Sequence, residues 1–243
     1  MKEEKILYCF PYSGASASFY LGWTAQLDEK IEIVPVEYPG RGSRFGEKLC
    51  NDMDELVEAV LSVIMKNGTE NCAFFGHSIG GLVAYETALK LRKMGMELPK
   101  HMFLSGCTPP HIKYGDRMIH LLPDDEFLKE LVELGGMSEA ILNNREILDL
   151  YLPVIRADYR IYELYEYKPE QEPLPVDYTV LTGSTDIIAG ERNMMEWRLY
   201  TSKKFQIRHF EGDHFFIYEQ PEILLETIEE QLSAEGKDED SKE

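Results

Sequence analysis

The stretch Cys72-Ala-Phe-Phe-Gly-His-Ser-Ile-Gly-Gly-Leu-Val-Ala-Tyr-Glu-Thr-Ala-Leu-Lys-Leu-Arg-Lys-Met94 decides the fold. Cys72 to Phe75 is a short apolar run, the pattern of a buried strand. It stops at Gly76-His77-Ser78-Ile79-Gly80, which fits G-x-S-x-G. Apolar residues then recur at helical spacing, Leu82, Ala84, Tyr85, Ala88, Leu89 and on to Met94. Strand, sharp turn and helix form the context of a nucleophile elbow, in which a strained serine projects above the sheet. Gly76 and Gly80 let strand and helix approach closely, and the helix N-terminus offers backbone N–H groups to an anion. The alternative is a glycine-rich turn with an incidental serine. Agreement of motif and context favours the elbow.

A chain of 243 residues, 44% of them hydrophobic, can bury one sizeable core. The expectation is one domain over residues 1–232 and an acidic, unstructured tail over 233–243. No stretch reaches the apolar length of a membrane span, and Met1-Lys-Glu-Glu-Lys5 has no hydrophobic leader, so a cytoplasmic monomer is expected. The net charge of −19 argues against nucleic acid and anionic membranes as partners. The cysteines at 9, 50, 72 and 107 show no CxxC spacing, and reduced, packed thiols are expected.

Outward from the elbow, strands are expected at Lys5–Phe10, Ile31–Tyr38, His101–Cys107, Tyr178–Thr182 and Phe205–Phe210. Helices are expected after Asp52, over Glu191–Tyr200 and over Gln220–Leu232. This alternation implies an α/β fold, a mostly parallel central sheet with helices on both faces and functional loops at its carboxyl edge. Residues 111 to 173 break the alternation. They read as helical throughout, one helix beginning after Pro123 and one or two more spanning Asn144 to Tyr167, and form a lid over that edge.

A serine nucleophile needs a base, and the base an orienting carboxylate; in the α/β-hydrolase fold the order is Ser, Asp or Glu, His. Of six histidines, His214 follows the last strand in the loop Glu211-Gly-Asp-His-Phe-Phe216, within reach of the carboxyl edge. Asp186 follows the fifth strand, whereas Asp177 precedes it and Asp213 adjoins His214 too closely to align its ring. A structural histidine and an exposed turn aspartate are the alternatives. The oxyanion donors are expected to be the backbone N–H of Ile79, after the nucleophile, and that of Ser13, in the loop Pro11–Ser16.

Phe10-Pro-Tyr-Ser-Gly-Ala-Ser16, Trp23, Tyr38-Pro-Gly-Arg-Gly-Ser-Arg44, Gly76-His-Ser-Ile-Gly-Gly81 and Gly212-Asp-His214 together resemble a type II thioesterase. These are the stand-alone editing enzymes of nonribosomal peptide and polyketide synthetases. The likeness covers nearly the whole chain; Tyr12 and Ser13 stand where the family mostly has His and Ala. It implies an α/β-hydrolase fold with a helical lid over a shallow acyl site, and a triad of Ser78, Asp186 and His214. The substrate it implies is an acyl group on the phosphopantetheine arm of an acyl or peptidyl carrier protein, beside small acyl thioesters. The arm belongs to the substrate, and no cofactor or metal is called for.

Rival readings are an esterase or fatty-acyl thioesterase on the same fold, and a binding protein that kept the fold without catalysis. Leu134-Gly-Gly-Met-Ser138 reads as a glycine-rich turn with Ser138 as a helix cap rather than a carrier-domain serine site. Arg41 and Arg44 are open to two readings, a phosphate contact and a structural turn. The tyrosines at 159, 162, 165 and 167 are assigned to helix packing in preference to a groove.

Overall fold

The computed structural model describes residues 4–113, 117–135, 144–169 and 172–239. Six strands form one sheet in the order β2-β1-β3-β4-β5-β6, with every neighbouring pair parallel. They are β1 (Lys5–Phe10), β2 (Ile31–Pro35), β3 (Cys72–His77), β4 (His101–Ser105), β5 (Asp177–Gly183) and β6 (Phe205–Phe210). The strand order reverses between β2-β1 and β3, so a crevice opens at the carboxyl ends of β1 and β3. The loop after β1 and the elbow after β3 both lie there.

The period of two sends alternate strand residues to opposite faces, and both faces are covered. Tyr8, Phe10, Cys72 and Phe74 join one core with α1 (Met53–Asn67) and α2 (Ile79–Lys93). Leu7, Cys9, Ala73 and Phe75 join the other, with Trp23, Leu27 and the last long helix. All six residues of β3 are buried, which explains its unbroken apolar run. Asp52 caps α1 by accepting the Glu55 N–H at 2.8 Å, as the sequence suggests. The four cysteines are free; burial pushes the thiols of Cys9, Cys72 and Cys107 up.

Several boundaries differ from expectation. β2 ends at Pro35, which has no N–H for a ladder and sits on an edge strand. β4 stops at Ser105, because the chain turns at Gly106 (φ +52°). Residues 191–200 form one α-helical turn and then a 3-10 segment. The final helix runs from Pro221 to Glu239, so residues expected in an unstructured tail continue its backbone. Once Leu224, Leu225, Ile228 and Leu232 anchor the helix, each further residue adds a hydrogen bond without a new nucleus.

Between β4 and β5 lie α3 (Asp124–Glu133) and α4 (Arg145–Glu163). Asn144 caps α4, and Pro153 sits within it without ending it, so the segment expected as one or two helices is one. Tyr165 and Tyr167 lie beyond its end. The lid has its own small core of Ile119, Phe127, Leu131, Leu152 and Ile155. The expected cap at Ser138, and Gly136 two residues before it, lie outside the described residues. No described helix is long and apolar enough to cross a membrane.

Candidate active site

Ser78 occupies the turn between β3 and α2 with φ +54° and ψ −127°, a conformation a side-chain-bearing residue rarely adopts. The elbow closes because Gly76 and Gly80 lack side chains. A Cβ on Gly76 would lie 2.3 Å from the Gly80 carbonyl oxygen, and one on Gly80 would lie 2.2 Å from that of Phe10. The Ser78 N–H donates to the Ser105 carbonyl at 2.8 Å, fixing the turn to β4.

His214 Nδ1 lies 2.9 Å from Asp186 Oδ2. Both side chains are almost completely buried, so Asp186 is not an exposed turn residue. Its other oxygen, Oδ1, accepts the N–H groups of Ile188 (2.8 Å) and Ala189 (3.0 Å). Burial pushes the Asp186 carboxyl up, but His214 and these N–H groups outweigh it and hold it below its ordinary value. Asp213 instead accepts the Phe215 N–H at 2.7 Å, and Asp177 is the first residue of β5, at the end of the strand opposite the cleft.

Ser78, His214, Ile79 and Ser13 line one narrow cleft of about 50 Å³. The lid roofs it with Leu131, Leu134, Ile155, Asp158, Tyr159 and Tyr162. Of the two N–H groups after Ser13, that of Gly14 is committed to Asp158 and that of Ala15 to the Tyr12 carbonyl. Among the described residues no cluster suited to a metal ion occurs. A strained serine and a carboxylate-held imidazole lining one cleft are parts that acyl transfer requires.

Residues 5–232 match the model of the thioesterase domain family. The protein named linear gramicidin dehydrogenase LgrE, of Brevibacillus parabrevis, is 38% identical over 236 residues, covering 96% of this chain and 89% of its own. That name is a statement about the relative; the next two proteins are thioesterases by name. Thioesterase PikA5 of Streptomyces venezuelae is 35% identical over 227 residues, covering 93% of this chain and 80% of its own. The structure of the type II thioesterase BorB from the borrelidin biosynthetic cluster superposes with a TM-score of 0.86 at 32% identity, covering 96% and 94% of the two chains. The chain is a type II thioesterase of the nonribosomal peptide and polyketide systems.

In this thioesterase neither arginine of the Pro39–Arg44 loop is free for a phosphate. Arg41 is buried in a two-point pair with Asp158, both contacts 2.6 Å. Arg44 grips Glu47 and the carbonyls of Glu37 and Ala59. Of the six histidines, His214 alone lines the cleft. His101 meets Thr179, His111 meets Tyr200 and Glu196, and His120 pairs with Glu163 inside the lid. Tyr159 packs on Phe127, as helix packing suggests, but Tyr159 and Tyr162 also face the cleft. Asp158 is the site residue that sequence reasoning missed in the thioesterase. Its signal was a carboxylate on the apolar stripe Leu148, Leu152, Ile155, Ile161 of α4.

Proposed function

We propose that Ser78 is the nucleophile, His214 the base and Asp186 its orienting acid. The substrates proposed are acyl groups on the phosphopantetheine arm of carrier proteins, cleared by a cytoplasmic monomer. The observation that carries this is the Asp186–His214 hydrogen bond in the cleft that Ser78 lines. With Nδ1 bound to Asp186, Nε2 is left as the basic nitrogen.

Ser78 Oγ attacks the thioester carbonyl while His214 Nε2 takes its proton. The N–H groups of Ser13 and Ile79 hold the oxyanion. As the C–S bond breaks, the imidazolium returns the proton to the departing thiol, and Asp186 stabilises that imidazolium throughout. Water then attacks the acyl–Ser78 carbonyl as His214 takes one of its protons. The imidazolium returns that proton to Ser78 Oγ as the ester C–O bond breaks, releasing the free acid. No step needs a metal or redox cofactor.

The lid supports a carrier substrate. On α4, Ile147, Leu150 and Tyr151 are exposed at helical spacing and share one outer face. Apolar contact there suits a chain whose charge of −19 gives no long-range attraction to an acidic partner. The test is hydrolysis of a panel of acyl groups on holo-carrier protein beside the same groups on coenzyme A. The expected result is a higher kcat/KM for the carrier form, weakly dependent on a short acyl group. Substituting serine at positions 147, 150 and 151 should erase that advantage while sparing a small activated ester. Equal hydrolysis of both forms would point to a generic acyl thioesterase instead.

A further inference from the structure

Asp158 reaches from the lid into the loop that carries the Ser13 N–H. Its Oδ2 accepts the Gly14 N–H at 2.8 Å, and the Arg41 guanidinium clamps both of its oxygens. Arg41 also reaches the Ala15 carbonyl at 3.4 Å, so ion pair and loop form one unit. Residue 14 must be glycine on two counts. Its φ is +75°, and a Cβ there would lie 2.5 Å from Cγ1 of Ile155 on α4. The other end of the loop is held by the body of the protein. Glu37 accepts the Ser16 hydroxyl at 2.9 Å and the Ala17 N–H at 3.0 Å.

The pair is 4% and 2% exposed at Arg41 and Asp158. Apolar residues of the same volume stabilise a fold about as well as a buried ion pair, so stability alone does not account for it. What apolar residues cannot supply is a fixed acceptor for the Gly14 N–H, one residue from the proposed oxyanion donor. We infer that Asp158, held by Arg41, is a positioning residue that aims the Ser13 N–H and makes the oxyanion hole depend on where the lid sits. The inference rests on the assignment of Ser13 and Ile79 as oxyanion donors. It names a lid residue, remote from the triad in sequence, as part of what sets kcat.

Two double variants separate positioning from stability, since each removes both buried charges. Arg41→Met with Asp158→Leu leaves no acceptor for Gly14. Arg41→Gln with Asp158→Asn keeps a side-chain oxygen there. Positions shifted by about 1 Å can lower rates about a hundredfold, so the apolar pair should reduce kcat about 10- to 100-fold with KM within about threefold. The amide pair should stay within about fivefold of wild type. Binding of an alkyl trifluoromethyl ketone, whose adduct on serine carries an oxyanion, should weaken in step with kcat/KM. Binding of a non-hydrolysable thioether analogue should not change. Circular dichroism and melting temperature check that both variants are folded. Wild-type kcat in the folded apolar pair, or equal losses in both pairs, would overturn the inference. Ser78→Ala run in parallel keeps the questions apart: activity in that variant would refute the site itself rather than the tether.

Discussion

The rings of His77 and His214 lie 4.9 Å apart, centroid to centroid, and only His214 has a carboxylate partner. His77 is fully buried, with Nδ1 2.9 Å from Ser105 Oγ. Burial, and then the neighbouring His214, push its pKa well below the ordinary 6.5. The unfolded chain therefore takes up a proton below pH 6.5 that the folded chain refuses, and stability falls as pH drops through that value. One such group contributes a slope of about 1.4 kcal/mol per pH unit. A His77→Gln variant should lose less melting temperature between pH 7 and pH 5 than wild type does. Parallel curves for the two proteins would show that His77 is protonated in the fold.

In the proposed triad Asp186 orients and stabilises, while Ser78 and His214 form and break bonds. Ser78→Ala and His214→Ala should each reduce thioester turnover by several orders of magnitude with the fold intact. Asp186→Asn should reduce kcat by up to about 10⁴-fold, because the amide can favour the wrong imidazole tautomer. Wild-type turnover in Asp186→Asn would mean that this carboxylate does not serve His214.

Among the described residues, the buried Ser13 hydroxyl has no hydrogen-bond partner, and the oxyanion donor assigned to this residue is main chain. Ser13→Ala should thus leave kcat within about threefold and the melting temperature unchanged or slightly higher. A hundredfold loss of kcat would transfer the donor role to the hydroxyl.

The elbow and the sheet were legible because they are written locally. An apolar run, a motif and a helical period sit within 23 residues, and the parallel order follows from strands alternating with helices. The hydrogen bond between Asp186 and His214 was legible from chain order and from the side of the sheet on which each loop emerges. The Arg41–Asp158 pair was not, since its members are 117 residues apart and Arg41 sits in a loop with no periodicity. The end of the last helix was misjudged for a different reason. Composition at residues 233–239 signals solvation, but a preformed helix can propagate into solvated sequence.

The sequence after Leu232 holds one apolar residue, Ala234. Truncation there should change kcat less than twofold and the melting temperature by no more than about 2 °C. A loss of several degrees would mean that the final turns are docked.

Covalent labelling with a fluorophosphonate, followed by mass mapping of the modified peptide, tests the assignment of Ser78 most directly. The expected result is one adduct on Ser78, absent in Ser78→Ala and formed far more slowly in His214→Ala. An adduct on another serine, or undiminished labelling of Ser78→Ala, would contradict it.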